Sequence, residues 1–406
     1  MPRPATRPGS ILALLATAIV GGGVAGFIGA SFMWAIDELI ELIWVDLADA
    51  LGVEDPFGSW FLFVVPVLGG VLMGLGQRFL GNYPEPIGVV IARWRAGGEV
   101  DPRTVPRAAV NSFTAIVMGG PVGFEAALTS LLGGVATLVG RWIRSTRGLV
   151  RRAWGAELDE DAPRVVQTLP YWIAALSGVL VWRWLPFGGI GVDFRFGADT
   201  DQLRLLDVVV ALLFAAAIAV PVAWALAVAS KAETATLYRR APELAGAVGG
   251  LLVAVLALGN QYVLFTGQQG IQQLGDQSTA ELLYLTVAKW VAMVLVFFSG
   301  WRGGPIFPIF LSVAALGQAL DGFLDVPVDI LVVAGLAGVS ATVLSGRIVA
   351  AFVLTLYVAP PSYAAVILIG AVGATVALTI ARSANALPAP PDDPVAAEDR
   401  PAATSL

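Results

Sequence analysis

The sequence predicts an all-α integral membrane protein that crosses the bilayer several times and contains broken or re-entrant helices. Three observations lead to this fold class. Of the 406 residues, 57% are hydrophobic and only 13% are charged, and the mean hydropathy is +0.80. Apolar stretches close to the ~20 residues needed to span a bilayer recur along the chain. Many of these stretches are short or interrupted, and the sequence contains 46 Gly and 25 Pro.

The apolar stretches predict one membrane domain over 11–382. Short, interrupted helices at membrane depth are tolerated only where they line a cavity or are buried in protein, which favours a transporter or channel over a simple bundle. In chain order, the expected helices are 11–35, 60–80, 106–119, 123–140, 168–185, 204–229, 243–265, 281–298, 306–320, 328–343, 346–358 and 361–381.

The two ends of the chain differ from the apolar body. Residues 1–10 are basic, and Arg3 and Arg7 favour a cytoplasmic N-terminus. Residues 383–406 are acidic and rich in Pro, which is typical of a disordered tail. The expected protein is therefore a multi-pass component of the cell membrane with both termini in the cytoplasm. Trp residues that flank apolar runs, Trp44 among them, are expected at the membrane interfaces.

The residue types that are missing exclude many functions. The sequence has no Cys and no His, which removes disulfides, thiolate or imidazole metal sites, Cys nucleophiles and His general bases. We therefore expect no enzyme activity and no metal. Nothing in the sequence suggests a cofactor or nucleic-acid binding, and we expect neither.

A weak internal repeat divides the domain into halves of about 11–185 and 204–382. The segments Arg107–Leu138 and Lys289–Leu320 each contain a basic residue, an apolar run, a Gly-Gly-Pro break and a second apolar run. Paired interrupted segments in two halves of a membrane protein indicate the binding site of a transporter with inverted repeats. Chance similarity between membrane helices rich in small residues is the alternative.

A Gly-Gly-Pro break that opens a helix can bind an anion. Gly permits the tight turn, Pro suits the first helical position, and the next N–H groups have no intrahelical partner. Their positive dipole end attracts an anion without a full positive charge. In the second half, the available donors are the N–H groups of Ile306 and Phe307, because Pro305 and Pro308 have none.

Glu125 is the one ionisable residue between Arg107 and Arg141. A carboxylate at mid-membrane costs about 2.5–3.5 kcal/mol on insertion scales, which favours a functional role. Beside a helix N-terminus it could occupy an anion's place when ionised and leave when protonated, acting as gate and proton carrier. The alternative is a structural cap on its own helix. The residues alone leave both readings open.

These segments resemble the CLC family of chloride channels and proton–chloride antiporters. GGPVGFEAAL is similar to the family's glutamate gate region, SGWRGGPIFP to its second-half anion-binding helix start, and Ala334–Leu356 to its late re-entrant helix pair. The resemblance implies a CLC-like fold, chloride as the anion and Glu125 as the gate. The backbone and loop positions that it implies for anion binding are Gly81, Asn82, Gly123, Phe124, Gly304, Ile306 and Phe307.

Two basic residues are expected near the anion path. The resemblance places Lys289 near the anion entrance, as a vestibule charge. Arg302 precedes the second break, where it could raise the local anion concentration. Snorkelling of Arg302 at a helix end explains its position equally well.

The sequence departs from the family pattern at three places. The family's Gly-Ser-Gly-Ile-Pro loop corresponds to Gly81-Asn82-Tyr83-Pro84-Glu85-Pro86, which has no Ser. No Tyr follows at the family's last helix. The Arg-rich stretch 141–166 reads as a solvated loop where the family has a helix pair, which carries a proton-accepting glutamate in antiporters and part of the dimer face. Glu157 and Glu160 in this stretch fit surface charge better than proton acceptors.

Two functions from different classes remain. The first is an anion permease, either a channel or a proton-coupled exchanger; the missing second proton acceptor favours uncoupled or weakly coupled flux. The second is a non-conducting membrane scaffold or sensor that kept the fold after losing transport. The family's homodimer is a weaker prediction for this chain, because the missing helix pair forms part of the dimer face in the family.

Overall fold

The computed structural model describes residues 8–85, 89–90, 93, 99–154, 164–185, 203–230, 240–356 and 358–387. Over these ranges the chain forms helices and turns, with no strand beyond one isolated bridge. The helices, numbered in chain order, are α1 (Pro8–Glu41), α2 (Leu47–Ala50), α3 (Phe61–Leu80), α4 (Val105–Val117), α5 (Glu125–Trp154), α6 (Arg164–Trp184), α7 (Leu205–Ser230), α8 (Pro242–Ala257), α9 (Thr279–Phe298), α10 (Ile306–Ala319), α11 (Val328–Val343), α12 (Ile348–Leu356) and α13 (Ala364–Ser383).

Long helices surround short ones. Six segments within the described ranges are long and apolar enough to cross a membrane: Leu12–Ala50, Phe61–Leu80, Glu125–Thr146, Leu205–Val228, Thr279–Phe298 and Pro361–Ser383. The shorter α10 and α11 are buried along almost their whole length. The first residues of α10, Ile306 and Phe307, therefore lie inside protein instead of lipid, which is the condition for breaking a helix at membrane depth. The turn between α10 and α11, at 321–325, is exposed. The predicted all-α membrane fold with broken helices is confirmed.

Glycines let helices from different parts of the chain touch backbone to backbone. A Cβ added to Gly70 of α3 would lie 1.9 Å from the carbonyl oxygen of Gly246 in α8. A Cβ on Gly26 of α1 would lie 2.1 Å from the carbonyl oxygen of Gly178 in α6. Lipid offers little hydrophobic drive for helix association, so close packing at small residues supplies much of it. The high Gly content thus serves packing as well as helix breaks.

The predicted loop over 141–166 is wrong for most of its length. Helix α5 continues through the Arg-rich stretch to Trp154, and α6 begins at Arg164; 155–163, which include Glu157 and Glu160, lie outside the described residues. Arg is a good helix former, and the guanidinium groups of Arg141 and Arg144 both pair with the Glu99 carboxylate. The hydrogen bond from Arg141, ahead of that from Arg144, holds the pKa of Glu99 below its ordinary value. The many Arg residues predicted a loop, because the sequence does not show that Glu99 pairs with this part of α5.

Two other boundaries differ from the prediction. The first helix runs on from the predicted end at 35, through a π-helical stretch at Leu42–Asp46, to Ala50. The helix predicted over 243–265 ends at Ala257, and the chain then turns inward to bury Val263, Leu264 and Phe265. Arg3 and Arg7, and the tail beyond residue 387, fall outside the described residues.

Candidate functional site

The two Gly-Gly-Pro breaks lie against each other. In the first half, α4 ends at Val117 and α5 begins at Glu125; in the second, α9 ends at Phe298 and α10 begins at Ile306. Between these ends, the Gly123 N–H donates to the Gly304 carbonyl at 2.6 Å, and the Gly304 N–H donates to the Gly123 carbonyl at 2.7 Å. The weak sequence repeat therefore corresponds to two helix starts joined by a pair of backbone hydrogen bonds.

The Glu125 side chain crosses from the first half to the second. Its Oε1 accepts a hydrogen bond from the N–H of Ile306, the first residue of α10. The next amide, that of Phe307, interacts with the same carboxylate. Glu125 is 8% exposed, and its Oε2 accepts no hydrogen bond from any part of the chain that the structure describes. A carboxyl group of the first half thus lies at the positive end of a buried helix that belongs to the opposite half, where an ionised group is favoured.

Two glycines make room for this carboxylate. A Cβ on Gly123 would lie 1.8 Å from Oε2 of Glu125, and a Cβ on Gly304 would lie 2.1 Å from its Cδ. Any larger residue at either position would therefore overlap the carboxylate. The cradle has the size of one small anionic group, lined on two sides by backbone.

The walls beside the cradle are apolar. The rings of Phe124 and Phe307 lie 4.3 Å apart between centroids, and both residues are buried, as is Val122. Among the residues described, no charged side chain interacts with Glu125. Its carboxyl group is buried and is contacted by backbone amides. Backbone dipoles in a dry setting act more strongly than they would in water. The site therefore attracts negative charge with partial charges only.

Two buried indoles hold the backbone next to the breaks. Trp44 Nε1 donates to the Val117 carbonyl at 2.9 Å, and Trp301 Nε1 donates to the Gly246 carbonyl at 3.0 Å. Trp44 is 2% exposed, so its predicted role as an anchor in the lipid interface is wrong. Because its N–H pairs with a buried carbonyl at the end of α4 that lacks a partner within the helix, Trp44 belongs to the core.

Lys289 does not line a vestibule, which corrects the prediction from the resemblance. Its side chain is completely buried in α9. The ammonium group donates to the backbone carbonyls of the four consecutive residues Tyr262–Phe265, at distances of 2.7–3.0 Å. Burial of an ammonium requires such acceptors, and here the backbone supplies them. Lys289 consequently faces a loop of the protein instead of an open entrance.

The other predicted residues lie outside this cluster. Gly81 ends α3 with φ +92°, and its carbonyl and that of Tyr83 accept hydrogen bonds from the buried Asn111 side chain. Asn82 is exposed, and no described contact joins it to Glu125. Arg302 is half-buried directly before Gly303. Roles for Gly81, Asn82 and Arg302 in anion binding remain predictions.

Sequence reasoning did not single out Asn111 or Phe265. Asn111 is a polar amide within an apolar run, and a polar residue in such a run indicates a buried side chain with hydrogen-bond partners. Phe265 adopts φ +57°, and its N–H donates to the Gly119 carbonyl at 3.3 Å. No sequence pattern marks a Phe for this left-handed conformation, so only the structure identifies it.

Comparison with known proteins places these observations in a family. A family model described as voltage gated chloride channel matches residues 162–379. The YfeO protein of Shigella flexneri, to which ion transport is assigned by inference, is 25% identical over 371 residues, covering 84% of this chain and 86% of its own. A YfeO protein of Escherichia coli strain 55989 is 25% identical over 370 residues, with the same coverages.

Solved structures share the fold. A CLC-type fluoride/proton antiporter superposes with a TM-score of 0.67 at 17% identity, over 91% of this chain and 96% of its own. A slow cyanobacterial Cl⁻/H⁺ antiporter superposes with a TM-score of 0.69 at 17% identity, over 91% and 94% of the two chains. Together with the family match over more than half of the sequence, the paired helix breaks and the glutamate between them, these likenesses establish that the chain belongs to the voltage-gated chloride channel (CLC) family.

Proposed function

We propose that this protein transports small inorganic anions, chloride among them, along a path that Glu125 gates. One observation carries the proposal: a buried carboxylate from the first half accepts a hydrogen bond from the first amide of a helix in the second half. The carboxylate has the charge and size of the cargo and lies where a helix start attracts anions. It competes with a free anion for that place.

Gating follows from this competition. While ionised and seated, the carboxylate fills the cradle between Gly123 and Gly304 and blocks passage. When Glu125 takes up a proton or swings away, the Ile306 and Phe307 amides are released and an anion can bind them. Amide dipoles without a full positive charge hold the anion loosely enough for it to leave again.

We propose that flux is uncoupled or only weakly coupled to protons. Coupled exchange needs a second titrating group that passes protons between Glu125 and the cytoplasm. Within the described ranges, no other charged side chain interacts with Glu125. A single buried carboxylate can exchange protons with one side of the membrane, but by itself it does not link two opposing fluxes.

Anion efflux from proteoliposomes tests the function. Purified protein is reconstituted in vesicles loaded with chloride, fluoride or nitrate, and efflux of each anion is followed together with the internal pH. We expect efflux above that of empty vesicles and little uphill proton movement under a chloride gradient. Absence of flux for every anion would favour the scaffold or sensor, and stoichiometric proton pumping would contradict uncoupled transport.

Both termini are proposed to face the cytoplasm. The Thr17 and Thr146 hydroxyls lie 3.3 Å apart, so the start of α1 and the Arg-rich end of α5 share one side of the membrane. Basic residues concentrate on the cytoplasmic side of membrane proteins. Because the chain has no Cys, the variant Ser10→Cys is expected to react with a membrane-impermeant maleimide in inverted vesicles and to stay unlabelled in intact cells.

The family's homodimer remains a prediction, which native mass spectrometry in detergent would check.

A further inference from the structure

The environment of Lys289 is unusual for a buried charge. Its Nζ lies 2.9 Å from the Tyr262 carbonyl oxygen, 3.0 Å from that of Val263, 2.7 Å from that of Leu264 and 2.8 Å from that of Phe265. We call these four carbonyl groups the carbonyl cage. An ammonium group has three N–H donors, so with four acceptors in reach every donor has a partner and at least one N–H is shared between two carbonyls. No described carboxylate pairs with it, and backbone dipoles alone offset its burial.

The carbonyl cage is connected to the first-half break on its other side. The Phe265 N–H donates to the Gly119 carbonyl at 3.3 Å, and the Phe265 ring packs edge-on against Trp44 at 5.2 Å. Trp44 in turn binds the Val117 carbonyl. The loop thus binds the first residue of the Gly-Gly-Pro turn directly, and it is linked to the end of α4 through Trp44. Lys289, on a second-half helix, holds a loop that supports the first-half break.

Four carbonyls that converge on one point repel one another unless a cation or a hydrogen-bond donor lies between them. Phe265 also adopts φ +57°, a conformation that costs a non-Gly residue free energy and persists only where its surroundings enforce it. The ammonium group satisfies both needs, since it binds the Phe265 carbonyl and its three neighbours at once. Without it, the loop is expected to relax and to release the Gly119 carbonyl.

We infer that Lys289 is a positioning residue for the anion site: its ammonium group fixes the carbonyl cage, and the cage holds the Gly119 turn so that Glu125 stays opposite Ile306. The inference rests on the proposed function for its transport readout. It differs from attraction of anions by charge, because the cage encloses the ammonium group in carbonyl oxygens. Shape and donor geometry, and not charge alone, are therefore what the site requires.

Chemical rescue tests this inference. The variant Lys289→Ala lacks the last three carbon atoms and the ammonium group of the lysine side chain. These are the atoms of n-propylammonium, so the missing group can be added in solution. We expect Lys289→Ala to lose flux about tenfold or more, because the Gly119 turn leads into Gly123, one wall of the cradle in which the anion binds, and small misplacements of a binding group have large effects. The pH dependence of flux is expected to be lost as well, because Glu125 no longer lies opposite Ile306. Added n-propylammonium is expected to restore both, whereas tetramethylammonium, which has no N–H donor, is not. Wild-type protein with the same salts controls for effects on the vesicles.

Two further variants separate geometry from charge and from helix damage. Lys289→Arg keeps the charge but has a larger, planar head group, and it is expected to fail like Lys289→Ala. Trp290→Phe changes the neighbouring residue on α9, whose Nε1 is buried without a partner among the described residues, and it is expected to transport normally. Wild-type flux with an unchanged pH profile in Lys289→Ala, or in Lys289→Arg, would overturn the inference.

A thermal readout keeps the inference testable without transport. A ligand that binds the folded state raises the unfolding midpoint, so propylammonium is expected to stabilise Lys289→Ala and leave the wild type unchanged. Should the wild type carry no anion at all, the proposed function fails while this shift still reports on the carbonyl cage. Should Lys289→Ala not fold alone, it is purified with propylammonium present. Failure to fold there, or absence of a selective shift, refutes the cage role.

Discussion

Replacing Glu125 with Ala is expected to raise anion flux about tenfold or more and to make it independent of pH. The carboxylate competes with the anion for the Ile306 amide, and a hydrogen bond to a charged group contributes about 1.5–3 kcal/mol. Each 1.4 kcal/mol changes occupancy about tenfold, so removal of this competitor frees the site most of the time. The measurement is chloride efflux from proteoliposomes between pH 4.5 and 7.5.

Glu125→Gln isolates the charge from the size of the side chain. Gln retains an oxygen that can accept from Ile306 but has no proton to exchange, so altered flux without pH dependence and without any proton movement is expected. Glu243→Gln serves as the control, because Glu243 pairs with Arg78 at the surface, at 3.1 Å. If Glu125→Gln kept wild-type flux with its pH dependence, Glu125 would be a structural cap and nothing more.

Replacing Gly304 with Ala is expected to lower both stability and transport, but for separable reasons. The added Cβ would lie 2.1 Å from both Cδ and Oε1 of Glu125, and overpacking of this kind costs about 1–3 kcal/mol. The same methyl group fills the cradle in which the anion would bind. We therefore expect a lower unfolding midpoint and loss of nearly all flux.

The double variant Gly304→Ala with Glu125→Ala distinguishes the two effects. Removing the carboxylate relieves the overlap, so the unfolding midpoint is expected to recover, while flux stays low because the methyl group still fills the cradle. Gly250→Ala is the matched control: its Cβ would lie 2.0 Å from the Pro66 carbonyl oxygen, so Glu125→Ala is not expected to restore its stability. Recovery of flux in the double variant would show that the anion binds elsewhere.

Lys289 shows where inference from sequence stops. The family resemblance predicts a charge at the anion entrance for Lys289, yet its partners are carbonyls 24–27 residues earlier in the chain. Backbone acceptors carry no sequence signature, since every residue has a carbonyl. Trp44 was misplaced for the same reason, because an indole at an interface and one that caps a buried helix end flank apolar runs alike.

The sequence by itself determined the fold class, most helix positions, the two Gly-Gly-Pro breaks and the one carboxylate beside them, because hydropathy and Gly-Pro chemistry act locally along the chain. Only the tertiary structure decided that Glu125 reaches Ile306, a residue 181 positions away, and that Gly123 and Gly304 leave room for it. That pairing depends on how two halves pack at small residues, and packing geometry is a property of the assembled helices and not of either segment.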